Sequence, residues 1–342
     1  MAKNQPIISV VMLNYNSLDL IKVSIPSIYK QTFNDFELII VDNGSTDNSL
    51  DYLRNNLPQI RIFKSPKNSF SIGNNIGIKN AKGKYILILN NDIELDKNCL
   101  MELYKNFQNS NQKTGMWATK ILNFYNRNII DSVGLIVYPD GMSRGQGRLE
   151  EDQGQFDSIN EVCFPSGCAG LYKKEMLDEI GFFDEDFEFY VEDSDLGFRA
   201  RLAGWNCIFV PKAIVYHMYS ATAGEYSRQK AFLVERNRLW LTIKNFPLPL
   251  LIVTPYFTIK RYLFQIYSVI AKRGTAGKFV KDFSSFRLII ILVKSWCFAL
   301  VKSGKMMGKR RVIQNNKKIV NYEIINLFKT FRISAKELVL KE

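Results

Sequence analysis

The stretch that most constrains this fold is Tyr85-Ile86-Leu87-Ile88-Leu89-Asn90-Asn91-Asp92. Its first five residues are apolar without alternation, the pattern of a short strand buried on both faces. The run then breaks into amides and a carboxylate. In an open α/β sheet, ligands bind beyond the carboxyl ends of the strands, so this strand delivers Asn90, Asn91 and Asp92 to a cleft. Oxygen donors of this kind suit a hard divalent cation, Mg²⁺ or Mn²⁺, shared with substrate phosphates. Turn chemistry alone also accounts for an Asn-Asn-Asp break, so the flanking elements must decide.

Three apolar runs precede it. Residues 7–13 end at Asn14-Tyr15-Asn16-Ser17, residues 36–41 end at Asp42-Asn43-Gly44-Ser45, and residues 60–63 form a shorter run. Between them, Leu20, Ile21, Ile25 and Ile28, then Leu50 and Leu53, recur at helical spacing. After an Asn- and Gly-rich stretch at 68–77, a helix is predicted over 75–81. Strand and helix alternate about every 25–30 residues, which predicts an α/β, doubly wound, mostly parallel sheet. Tyr15, Asp42 and Asp92 would then share one edge, where a nucleotide could lie. Neither Gly-x-Gly-x-x-Gly after the first strand nor Gly-x-x-x-x-Gly-Lys-Ser/Thr is present, which disfavours a dinucleotide fold or a P-loop.

Further on, Leu100, Leu103, Tyr104 and Phe107 predict a helix, residues 117–124 a strand, and Pro139-Asp140-Gly141 a turn. The polar stretch 145–155 reads as a mobile loop near the cleft, with no assignable chemistry. Pro165-Ser166-Gly167-Cys168-Ala169-Gly170 consists of small residues that permit close backbone approach. Acids and aromatics interleave between Asp184 and Asp195, and Asp193 opens a helix carrying Leu196, Phe198 and Leu202. Carboxylates there either merely suit a helix N-terminus or point into a polar cleft. The sole histidine, His217, follows a strand at 213–216. A lone histidine is commonly structural, but this placement in a chain suspected of holding a metal favours a ligand.

These segments together resemble, in order over roughly residues 6–240, the family 2 glycosyltransferases of GT-A fold, rhamnosyltransferase-like branch. The resemblance rests on Asn14-Tyr15-Asn16, Asp42-Asn43-Gly44-Ser45-Thr46-Asp47, Asn74-Asn75-Ile76-Gly77 and Leu89-Asn90-Asn91-Asp92. It continues through Gly181-Phe182-Phe183-Asp184-Glu185, Glu192-Asp193-Ser194-Asp195, Gly204-Trp205 and His217. It implies a GT-A domain over 1–245 and inverting transfer from a UDP- or dTDP-linked sugar to a glycan or lipid-linked hydroxyl, in cell-surface polysaccharide synthesis. Tyr15 and Asp42 would bind the donor, with Asn14, Asn16, Asn43, Ser45, Asn74, Asn75, Asn90 and Asn91. Asp92 and His217 would hold Mn²⁺ or Mg²⁺, and Asp193 would be the general base with Glu192 beside it. Gly167, Cys168, Asp195 and Trp205 are the candidate acceptor contacts. Asn90 replaces the first Asp of the family's metal motif, which weakens the expected metal affinity. Two alternatives stay open: a non-catalytic glycan- or lipid-binding protein on a transferase scaffold, and a sugar nucleotidyltransferase. The second lacks the Gly-rich basic loop expected after the first strand.

Charge divides the chain unevenly. Of 46 Lys/Arg, 19 fall after Asn245, against 4 of the 33 Asp/Glu, so residues 246–342 carry +15 and residues 1–245 carry −2. Apolar runs around 250–253, 262–267 and 287–301 lie between basic residues, and none supplies the roughly 20 apolar residues that span a bilayer. A basic, amphipathic, mainly helical segment is expected at 246–342, lying on an anionic membrane surface. A core helix set with a solvated basic face is the alternative. Aromatics embedded in aliphatic runs disfavour nucleic acid. Five scattered cysteines without Cys-x-x-Cys spacing suggest neither disulfides nor zinc. With no signal-peptide pattern, the expected place is the cytoplasm, peripheral on the inner face of the cell membrane.

Overall fold

β1 (Ile8–Asn14) is the axis of the sheet, buried at every residue except Leu13. The computed structural model describes residues 5–218, 227–274, 277 and 285–341. In it, β2 (Phe36–Asp42) and β4 (Tyr85–Leu89) pair parallel to β1 on either side, and β3 (Arg61–Lys64) extends β2. The remaining strands are β5 (Ile93–Leu95), β6 (Thr114–Asn123), β7 (Ile130–Ser132), β10 (Ala169–Lys173) and β11 (Asn206–His217). Their order is β3-β2-β1-β4-β10-β6-β11-β5, with β7 on β6. β10 runs antiparallel between β4 and β6, and β5 closes the edge antiparallel to β11. The sheet is mixed, with its first four strands parallel.

Alternation along β1 divides the core. Val11 joins one cluster, and Val10 and Met12 join the other. α1 (Leu18–Tyr29) and α4 (Cys99–Gln108) cover the second face with Ile21, Ile25, Ile28, Leu100 and Leu103. α2 (Ser49–Asn56) adds Leu53 to that face. The first face takes Ile78 of α3 (Phe70–Asn80) and Leu196 and Phe198 of α6 (Glu192–Leu202). α3 begins earlier than its sequence suggests because Ser69 Oγ accepts from the Ile72 amide at 3.3 Å. Gly77 is required there: a Cβ would lie 2.2 Å from Val11 Cγ1.

β8 (Leu135–Val137) and β9 (Ser143–Gly145) form a hairpin around the expected Pro139-Asp140-Gly141 turn. The stretch after it is no mobile loop. The Leu149 amide donates to Ile130 O at 2.8 Å, Ile130 donates to Glu150 O at 2.8 Å, and Lys120 Nζ lies 2.9 Å from Asp152. Buried Lys120 needs that carboxylate, which fixes the stretch.

After α5 (Lys174–Ile180), the helices run on as α7 (Arg228–Asn245), α8 (Leu248–Ile270), α9 (Ser285–Val301), α10 (Ser303–Asn315), α11 (Asn321–Thr330) and α12 (Ala335–Leu340). The expected boundary at residue 245 divides composition but not packing. Leu250, Ala299, Met306, Ile324, Phe328 and Leu338 share the core cluster of α6, and Phe328 stacks on Phe198 with centroids 5.5 Å apart. A fully buried ionic cluster reinforces the junction. Arg261 Nε lies 2.5 Å from Asp140 Oδ2 and its Nη2 3.0 Å from Glu235 Oε2, while Arg238 pairs with Glu235 and donates to Asp140 O at 2.7 Å. Truncation of one partner of a buried pair leaves an uncompensated charge. Arg261→Ala is therefore expected to lower stability by about 3–5 kcal/mol, read as a lower urea midpoint; an unchanged midpoint would remove this cluster from the account.

Candidate active site

The end of β4 meets the end of β11 because β5 reverses the chain. His217 stands opposite Ile93 in the β5–β11 pairing, and the Met218 amide donates to Asp92 O at 2.9 Å. This places buried His217 Nε2 3.4 Å from buried Asp92 Oδ1, an oxygen that makes no hydrogen bond. On the other side of the ring, Nδ1 lies 2.7 Å from Asp131 Oδ2 on β7, and Asp131 also pairs with Arg148. Burial raises the Asp131 carboxyl, but His217 and Arg148 outweigh it and hold it below the usual range. For His217, burial opposes charge, while Cys168, Asp131 and Asp92 raise the imidazole well above the ordinary value.

A buried carboxylate oxygen facing an imidazole nitrogen at 3.4 Å is a donor pair for a divalent cation, and Asp131 on the far nitrogen is the customary outer support of such a ligand. Among the described residues no group of three His, Cys, Asp or Glu could hold a metal ion. Asp92 and His217 would thus need substrate oxygens to complete a shell, the usual arrangement at phosphate sites.

Asp193 lies in the first turn of α6. Its Oδ2 accepts from the Gly167 amide at 3.0 Å, and its Oδ1 from the Ser194 amide at 2.6 Å and Ser194 Oγ at 3.2 Å. Ser143 Oγ of the hairpin lies 2.7 Å from Ser194 Oγ. Burial raises the Asp193 carboxyl despite these donors. Glu192 is pushed well up by burial and by Asp193 beside it. Gly167 and Cys168 join the two halves. Gly167 N–H holds Asp193, while Cys168 O accepts from the Asn90 amide at 2.9 Å and its side chain meets His217. Asp92, His217 and Asp193 are gathered around one dipeptide.

The edge where a nucleotide is expected is a chain of amides and hydroxyls. Asn91 Nδ2 donates to Ser17 Oγ at 2.7 Å, Ser17 Oγ to Asn14 Oδ1 at 2.7 Å, and Asn14 Nδ2 to Asp42 Oδ1 at 3.0 Å, Ser45 Oγ at 3.0 Å and Ser49 Oγ at 2.8 Å. These contacts tie the carboxyl ends of β4, β1 and β2 together. Asp42 Oδ2 also accepts from the Gly44 and Ser45 amides at 3.1 Å. Tyr15 is 39% exposed beside this edge, and Asn16, left-handed at φ 46°, accepts from the Thr46 amide at 2.7 Å. Buried Asn43 and Asn74 each keep a side-chain oxygen without a partner.

Three expected site residues stand elsewhere. Asn75 spends its amide on the Phe183 backbone, donating at 2.9 Å and accepting at 3.0 Å, which fixes a loop rather than a donor. Asp195 is fully buried against Arg199, Lys244 and Asn245, at 2.9, 2.7 and 2.8 Å, and is closed to an acceptor. Trp205 precedes β11 and lines a cavity of about 1040 Å³ with Lys173 and Lys318. The twelve residues of β11, at about 3.3 Å each, set it at the opposite end of the sheet from His217.

Sequence reading missed Asp131, Ser194 and Asn237. Glu188, Tyr190 and Val191 all have positive φ, at 61°, 67° and 70°, a conformation costing about 1–2 kcal/mol per residue without glycine. Asn237 Nδ2 restrains them by donating to the Phe187, Phe189 and Tyr190 carbonyls at 2.8 Å each. This strained turn leads directly into Asp193.

A model of glycosyl transferase family 2 matches residues 9–181. The chain belongs to glycosyl transferase family 2. It is 23% identical over 259 residues to the poly-beta-1,6-N-acetyl-D-glucosamine synthase of Staphylococcus epidermidis, covering 72% of this chain and 60% of that protein. It is 26% identical over 200 residues to the low-salt glycan biosynthesis hexosyltransferase Agl10 of Haloferax volcanii, covering 57% of this chain and 61% of that protein. An uncharacterized Sinorhizobium fredii protein is 25% identical over 234 residues, covering 64% of this chain and 25% of its own length. The chain thus spans a quarter to three-fifths of these curated relatives. Among solved structures, the mannosyltransferase PcManGT from Pyrobaculum calidifontis, in complex with GDP-Man and Mn²⁺, superposes with a TM-score of 0.54 at 15% identity, over 96% of this chain and 88% of that one. The family member described here has the GT-A-like α/β fold with a C-terminal helical region.

Removal of the Asn237 amide leaves the Phe189 and Tyr190 carbonyls short of a donor beside a strained turn, at about 1–3 kcal/mol for each unsatisfied buried group; Phe187 O keeps Arg236. Asn237→Ala is expected to lower the thermal midpoint and to speed proteolysis between residues 186 and 191; an unaltered midpoint would show that the turn holds without it.

Proposed function

We propose that this chain transfers a sugar from a UDP- or dTDP-linked donor to a hydroxyl of a glycan or lipid-linked acceptor, with inversion, in the rhamnosyltransferase-like branch of its family. The observation that carries this reading is the convergence of Asp92, His217 and Asp193 on Gly167-Cys168, at the carboxyl edge where α/β sheets bind ligands. The relatives named for glycan synthesis support a role in cell-surface polysaccharide assembly.

In the displacement, Asp193 takes the proton of the acceptor hydroxyl as its oxygen attacks the anomeric carbon. The bond to the diphosphate oxygen breaks on the opposite face, which inverts the configuration. Burial raises Asp193, making it a stronger base, while the Gly167 and Ser194 donors keep an ionised form accessible. Both donors also fix the carboxylate plane. Asn14, Asp42, Asn91 and Tyr15 frame the base and ribose at the ends of β1, β2 and β4. Asp92 and His217 would hold Mn²⁺ or Mg²⁺, which when bound offsets charge on the departing diphosphate; PcManGT was solved with Mn²⁺. Asp131 orients the imidazole for that task.

Residues 1–245 carry the chemistry in this reading, and the basic segment 246–342 completes the core and attaches the protein to the inner, anionic face of the membrane. Among the described residues no helix is long and apolar enough to cross a membrane.

A thermal-shift screen of nucleoside diphosphates and nucleotide sugars, with and without Mn²⁺, tests the donor class by mass-action stabilisation. A rise dependent on both is expected; no response to any nucleotide would sink the reading. Asp193→Asn should abolish transfer while leaving donor affinity within about twofold, because the base acts on the acceptor. Asp131→Asn should raise the Mn²⁺ needed for half-maximal activity about 10–100-fold, the usual cost of a lost outer partner. Normal turnover in Asp193→Asn would withdraw the base assignment.

A further inference from the structure

α8 is built inside out. Its buried residues are Leu250, Thr254, Thr258, Arg261 and Ser268, a stripe at helical spacing that is mostly polar. Each polar member is satisfied inward. Thr254 Oγ1 lies 3.4 Å from Pro139 O, Thr258 Oγ1 lies 3.4 Å from Arg238, Arg261 pairs with Asp140 and Glu235, and Ser268 Oγ accepts from the Gly277 amide at 3.1 Å. The outward face carries Ile252, Tyr256, Ile259, Leu263, Ile266 and Ile270, exposed by 56–75%. A water-facing helix arranges these classes the other way round.

α9 also turns a broad apolar face outward: Ile291, Ser295 and Ala299 are buried, with Ser295 Oγ 2.8 Å from Ile291 O and 3.1 Å from Phe232 O, while Phe286, Ile289, Val293, Phe298 and Val301 are exposed by 41–80%. Exposed apolar side chains grouped along a helix face in this way mark an interaction surface.

Charge identifies what covers them. Neither helix contains an Asp or Glu, while Lys260, Lys272, Arg273, Lys294 and Lys302 are exposed on or beside them. A second copy docked face to face would bring these cations together. An anionic lipid headgroup layer over acyl chains matches both the charge and the apolar surface. We propose that the outer faces of α8 and α9 insert into the acyl layer of one anionic leaflet, with α8 lying in its plane. This goes beyond attachment by charge, because the apolar faces hold the protein when salt screens the lysines, and it does not depend on the transfer reaction. Long lysine stems reach back to the headgroups.

The test is flotation of the full chain on phosphatidylcholine vesicles containing phosphatidylglycerol, in low salt and in 1 M NaCl (an added condition of about 3 Å Debye length). Binding that persists in high salt is expected. The triple variant Ile252→Asp, Ile259→Asp, Ile266→Asp should lose salt-resistant binding at least tenfold, with circular dichroism unchanged. Release of the native chain by high salt would overturn insertion and leave charge adsorption. A native chain that fails to float and runs as a dimer, monomeric in the variant, would assign the face to a second copy. Acyl-brominated lipid should quench the native protein's intrinsic fluorescence; without quenching the proposal fails, whether or not the variant folds.

Discussion

The register between β5 and β11 is the constraint on which the site depends. Side chains alternate along a strand, so a slip of one residue would turn His217 to the opposite face and present Tyr216 to Asp92. Two features prevent the slip. The Met218–Asp92 backbone bond locks the end of the ladder, and β11 carries a register shift between Val210 and Ile214 against β6. An irregularity of this kind re-aims every later side chain. With that aim, the Asp92 carboxylate meets an imidazole. Without it the buried carboxylate would lose its cationic neighbour, and an unpaired buried charge is costly.

Asp193 is held by a different device, one turn of α7. Arg236 and Asn237 hold the backbone from Asp186 to Tyr190, and the next residue, Arg238, joins the ionic cluster that anchors α8 and the hairpin turn. The hairpin then returns to the site through Ser143 and Ser194. Strain at Tyr190 and Val191 is therefore balanced by contacts from helices beyond residue 227. The C-terminal helices are part of the framework that places Asp193.

This explains which features were legible in the sequence. β1, β2 and β4 announce themselves because their apolar runs, broken only by Ser9 and Glu37 near the start, stop abruptly at polar residues, and that boundary is where Asn14, Asp42 and Asp92 lie. Asp131 gave no such sign: it is one acid in a three-residue strand, 86 residues before the histidine it supports. Asn75 and Asp195 misled because an amide or acid in a motif looks the same whether it faces a ligand or the backbone of a neighbouring loop. The α3 start was obscured by its glycines. They read as loop formers, whereas Gly77 is there to bring the helix onto Val11. Packing of the basic segment into the main core was hidden for a related reason. Its apolar residues serve two opposed surfaces, and composition does not distinguish them.

The inverted α8 gives the buried ionic cluster its purpose. A helix with apolar residues all round could settle against the protein on any face, with little difference in hydrophobic gain. Arg261 removes that freedom, because its guanidinium is tolerable inside only when turned toward Asp140 and Glu235. Thr254 and Thr258, on the same stripe, follow it inward. Once the polar stripe is committed, Ile252, Ile259 and Ile266 must face outward. The same pairs that join the two halves of the chain thus fix which side of α8 is offered to lipid, and through Arg238 and Asn237 they relate that side to the turn before Asp193.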